Sequence, residues 1–136
     1  SLEHPREYHH LFPDSKLAEV GLGPEDIYRA VNCALITWRT NRAISNKDPV
    51  KYLKERADNS TLGEDELIRR LRTHLIPYNE LNVGAYDGLV GDQLKVRTQE
   101  DYKKFALVRA QLLAKAAELA CEGQFLDLSK IFSGEI

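Results

Sequence analysis

The chain has no methionine, and residue 1 is Ser. Its expected status is a C-terminal piece of a longer protein whose other part carries a share of the function. No stretch approaches the ~20 consecutive apolar residues that a membrane-spanning helix needs, and no secretory leader opens the chain. That predicts a protein without a membrane partner, in the reducing cytosol. Cysteine is scarce: Cys33 and Cys121 stand far apart with no CxxC partner, which excludes a zinc knuckle and a disulfide framework. A basic excess is missing too. The net charge of -2 and pI of about 6.1 weigh against a free-standing nucleic-acid binder. No glycine-rich phosphate cradle, internal repeat or low-complexity tract occurs.

What is present fits one compact domain: 136 residues, 43% hydrophobic, enough to bury a core. The charge is unevenly spread. Arg39, Arg42, Lys47, Lys51, Lys54 and Arg56 crowd residues 39–56 against only Asp48 and Glu55, whereas Glu118, Glu122, Asp127 and Glu135 face Lys130 alone in the last nineteen residues. One face suits phosphate; a plain solvated helix surface accounts for the same run.

Residues 6–12 read as a strand that leaves into a turn at Pro13. A short helix or loop follows, closing at Gly21 and Gly23. Pro24-Glu25-Asp26 opens a helix ending near Val31, and "CALITW" (33–38) is apolar and partly β-branched, a second strand. Asp48-Pro49 starts a helix to about Ala57. Thr61 and Glu64 have capping-box spacing ahead of Leu67, Leu71 and Leu75, a helix that stops before Pro77. "NVGAYDGLVGD" (82–92) reads as a loop or weak hairpin. Thr98 and Asp101 repeat the capping signal, so the longest helix is expected over 100–122, with Phe105, Val108, Leu112, Ala116 and Leu119 as its buried stripe and Gly123 as its end.

The chemistry-bearing residues gather in two strings. "EYHHLFPDSKL" holds His9 and His10 side by side, and neighbours on a strand point to opposite faces. "NCALITWRTNRAISNK" has Asn32 just before the second strand, Asn41 nine residues on and Lys47 six after that. His9 and His10 taken alone fit a half-buried structural pair equally well. Imidazole, with an ordinary pKa of ~6.5, is suited to deprotonating a water near neutral pH.

In order, "HHLFPDSKL", "NCALITWRTNRAISNKDPVKYL", "HLIP" and "FALVRAQLL" resemble the C-terminal nuclease part of GmrSD-type modification-dependent restriction proteins, and more widely the HNH (ββα-metal, His-Me finger) nucleases. The resemblance implies an α+β, mostly helical fold: a ββα-metal finger with two short antiparallel strands, embedded in a helical domain. Residues 1–58 would form the nuclease core and 59–136 a helical extension of the same domain. It further implies a metal-dependent DNA endonuclease of a phage-defence restriction system in a prokaryotic cytoplasm. Its expected partners are double-stranded DNA, plain or modified, and an N-terminal nucleotide-hydrolysing sensor domain.

By that resemblance His10 is the general base and Asn32 the residue that pins the loop holding it. His9 and Asn41 hold one divalent metal ion, and Arg42 and Lys47 contact DNA phosphate. The family usually has Asp where this chain has His9. A neutral imidazole in that place shifts the preference from Mg²⁺ toward Mn²⁺, Ni²⁺ or Zn²⁺. The other class of function is a catalytically inactive module for DNA docking or protein interaction, which need bind no metal.

Overall fold

The structure is a computed structural model, and it describes residues 6–12, 14–23, 25, 32–37, 55, 58, 63–83, 86 and 88–133. Two strands, β1 (Arg6–His10) and β2 (Cys33–Thr37), pair antiparallel, with His10 opposite Cys33 and Arg6 opposite Thr37. Between them in sequence lies α1 (Asp14–Glu19). The remaining elements whose spans are described are helices: α2 (Gly63–Thr73), α3 (Tyr78–Leu81), α4 (Gly91–Cys121) and α5 (Leu128–Ile131).

The fold class expected from the sequence is corrected by this architecture. The molecule is mostly helical, organised around the 31 residues of α4, and no ββα-metal finger stands among the described residues. The next helix after β2 whose span is described is α2, which starts at Gly63. The ribbon end packs instead on α4, far along the chain. The physical reason is that a two-stranded ribbon of five-residue strands is marginal alone and borrows its stability from helices. The helices expected over 24–31 and 48–57 lie outside the described residues.

The long helix begins well before the Thr98 capping signal. It starts at Gly91, so Thr98 is no cap but a buried residue inside the helix. Val90 at its N-cap offers no side-chain bond. Residues 93–99 are nonetheless mostly straight-chain residues of good helix propensity. Arg97 adds an ion pair to Asp101 one turn on, at 3.1 Å. The buried residues of α4 are Thr98, Tyr102, Phe105, Arg109, Leu112, Ala116 and Leu119, spaced by alternating steps of four and three. That is the 3.5-residue seam of a helix packed from Thr98 to Leu119. Val108, expected on the buried stripe, is only partly buried, and the position belongs to Arg109.

The seam divides the core in two. One cluster joins Leu11, Phe12 and Leu17 to Leu71, Ile76, Leu81, Tyr102 and Phe105. The other joins Leu112, Ala116 and Leu119 to Ile131 and Phe132. Residues from before and after position 59 therefore share the first cluster.

The two longest described helices end by one device. After α4, Gly123 takes φ +70°, its N–H donates to Ala120 O and that of Gln124 to Leu119 O, a Schellman closure. After α2 the same pattern recurs, Leu75 N–H to Arg72 O and Ile76 N–H to Leu71 O, with Leu75 in the left-handed region at φ 54°. Among the described residues, no helix is long and apolar enough to cross a membrane.

Candidate active site

β1 and β2 bring His10 and Asn32 to one end of the ribbon. The ladder extends one pair beyond the strands, since Leu11 N–H donates to Asn32 O at 2.8 Å. In an antiparallel ladder hydrogen-bonded and open pairs alternate, so the His10–Cys33 pair is an open one, with its side chains on one face and close together. His10 is half-buried there.

Asn32 is fully buried. Its Oδ1 accepts from Phe12 N–H at 2.9 Å and its Nδ2 donates to Phe12 O at 3.1 Å. The side chain thus satisfies both backbone groups of one residue, two positions after His10. Burying these two backbone groups unbonded would cost about 1–3 kcal/mol per group. A carboxamide sets an NH₂ donor and a carbonyl acceptor side by side in one plane.

The aromatic ring of the same residue is held from the other direction. Phe12 lies edge-on to Tyr102, with ring centroids 5.5 Å apart, and tilted against Phe105 at 5.3 Å. One turn beyond Phe105, the buried Arg109 donates through Nη1 to Cys33 O at 2.6 Å, while its Nη2 lies 3.5 Å from His74 O. Burial lowers the pKa of Arg109. Burial also raises that of the Cys33 thiol, offset in part by the Arg109 cation, so the thiol at this end of the ribbon is kept neutral.

The residues named from the sequence divide as follows. His10 and Asn32 meet at the ribbon end. His9 sits in β1 opposite Ala34, but its side chain lies outside the described residues. Asn41, Arg42 and Lys47 lie outside them altogether. Among the described residues, no group of three or more His, Cys, Asp or Glu side chains comes together. Arg109 was missed. The signal for it was present in the four-three spacing from Thr98 to Leu119, which demands a buried residue at 109 whatever its polarity.

No protein-family model matches the chain, and no solved structure matches it. The chain is 32% identical over 123 residues to an uncharacterized protein of Methanocaldococcus jannaschii, a match that takes in 83% of this chain and 20% of that protein. The chain therefore spans about one fifth of the length of the relative it matches.

Proposed function

We propose that the chain is the cutting part of a metal-dependent endonuclease that hydrolyses phosphodiester bonds in duplex DNA, with His10 as general base. The observation that carries this reading is the bidentate hold of buried Asn32 on Phe12, two residues from His10. A general base must stay within hydrogen-bond reach of one water, and this arrangement fixes the backbone that presents the imidazole. The resemblance of the two site strings to restriction nucleases supplies the reaction class.

A bound divalent ion would neutralise the charge that builds on the phosphate and the leaving oxygen. The residues put forward to hold it are His9 and Asn41. One nitrogen and one amide oxygen, both neutral, suit Mn²⁺, Ni²⁺ or Zn²⁺ at least as well as Mg²⁺. Asn32 acts on the base by holding its loop, and Arg42 and Lys47 meet the DNA backbone. The wider setting in this reading is modification-dependent defence against phage DNA in a prokaryotic cytoplasm, alongside a nucleotide-hydrolysing sensor domain.

The test is nicking of supercoiled plasmid, plain and modified, with Mg²⁺, Mn²⁺, Ni²⁺ and Zn²⁺ in turn, together with calorimetry of metal binding. Cleavage with at least one metal is expected, with His9→Ala binding that metal more weakly and recovering in its excess. No cleavage with any metal on either DNA would favour the inactive docking module. Metal binding by His9→Ala equal to the parent's would remove His9 from the ligand set.

A further inference from the structure

A five-residue, two-stranded ribbon has little of its own to fix its register. A slip by one residue would carry every side chain, His10 included, to the opposite face. Whatever pins the register therefore sets where His10 stands. Asn32 pins one strand's exit through Phe12, but this contact lies within the ribbon's own chain ends. Through the Phe12 ring it sets the ribbon's end on α4, but its two bonds hold no carbonyl within β2.

Arg109 adds a hold on β2 itself. It occupies a core position of α4, between Phe105 and Leu112 in the buried seam. Its guanidinium reaches the carbonyl of Cys33, the register partner of His10, at 2.6 Å. A buried cation is an expensive way to fill a core site, because well-packed apolar residues are commonly neutral or better for stability. What a guanidinium offers and an apolar chain does not is a directed donor, able to select one carbonyl of a strand. The carbonyls of a strand alternate in direction, so a slipped β2 would offer Arg109 a different one or none.

We infer that Arg109 is a positioning residue, which holds β2 in the register that places His10 at the site. The inference rests on the reading of His10 as the base. It also has a readout free of that reading. An open antiparallel pair brings its two Hα atoms into close contact, so a His10–Cys33 Hα–Hα nuclear Overhauser effect reports the native register.

The experiment compares the parent, Arg109→Met and Arg109→Lys by thermal unfolding, by that Overhauser contact and by plasmid nicking with kcat and KM separated. Arg109→Met is expected to fold, lose the contact and lose about tenfold or more in kcat, with KM unchanged. Arg109→Lys, which keeps a donor, is expected to regain the contact and most of kcat. Where Arg109→Met does not fold, Arg109→Gln, too short to reach Cys33, takes its place under the same criteria. A folded Met or Gln variant that keeps the contact and the parent's kcat would reduce Arg109 to a structural staple and overturn the inference. Should the parent itself not cut, the nuclease reading fails, and the Overhauser contact alone decides the role of Arg109.

Discussion

The two core clusters along α4 are built from the same helix and the same spacing, yet they do different work. The first is aromatic and gathers Leu11, Phe12 and Leu17 from the N-terminal region onto Tyr102 and Phe105. The second is aliphatic on α4 and gathers Ile131 and Phe132, with Leu75 and Leu128 packed against them. Arg109 stands between them and reaches back to the ribbon. The difference teaches that the site is tied to one half of the long helix. Damage to the first cluster should reach His10, and damage to the second should cost stability alone.

The largest effect should come from Phe105→Ala, which removes a fully buried ring beneath Phe12. A loss of about 3–5 kcal/mol is expected in denaturant unfolding, with amide exchange at Leu11 and Phe12 quickened beyond the global loss. Leu119→Ala should cost about 2–4 kcal/mol and leave those two amides protected up to the new global limit. Equal local exchange in both variants would erase the distinction between the clusters.

Asn32→Ala sharpens the same comparison from the ribbon's side. It leaves the N–H and the C=O of Phe12 without their partner, so a loss of about 1–3 kcal/mol is expected for each group left bare. Calorimetric unfolding that shows under about 1 kcal/mol of change would mean that water replaces the carboxamide at little cost.

Beyond the second cluster, Gly123 closes α4 at φ +70° with open space where a Cβ would stand. Gly123→Ala is therefore a pure backbone test, expected to lower stability by roughly 1–2 kcal/mol without touching exchange at the ribbon. A loss well beyond that range would point to a contact that the open space does not contain.

The smallest effect lies outside both clusters. Glu66 accepts from Arg69 at 2.7 Å and from Arg70 at 2.8 Å, and these bonds hold its carboxyl down to about 2. The folded-state value lies below the ~4.3 of an unfolded glutamate, so its contribution is present above that pH and is lost as pH falls through about 2. Melting temperatures taken between pH 6 and 2 should fall slightly less for Glu66→Gln than for the parent. Glu66 is a surface group on α2, so the difference should be small and should shrink in salt. A difference that survives high salt would show that the pair is not acting through exposed charge.

Periodicity made the long helix legible in the sequence, and so was its end at Gly123, because a left-handed residue after a helix favours glycine. Its beginning was not. Thr98 and Asp101 match a capping signal by spacing, and only packing reveals Thr98 as buried. Polarity alone selects Val108 for the stripe. The seam follows geometry, which selects Arg109. Leu75 illustrates the same limit: its spacing with Leu67 and Leu71 suits a helix, yet it sits past the end of α2 in a conformation usually left to glycine. Of the site, His10 and Asn32 were legible as residue types placed beside strands. The hold of Asn32 on Phe12 and of Arg109 on Cys33 was not, because both join residues at least 20 apart in sequence. The finger expected around them gave way to a helical body, since the four strings that carry the resemblance say little about how the chain packs around them.

The central claim rests on His10, and replacing it tests the claim most directly. His10→Ala should leave the melting temperature and metal binding close to the parent's, because the side chain is half-buried at the ribbon's end. The nicking rate on one supercoiled plasmid, at the metal concentration that saturates the parent, should fall by about 10²–10⁴-fold. A His10→Ala protein that nicks that plasmid as fast as the parent would contradict the account.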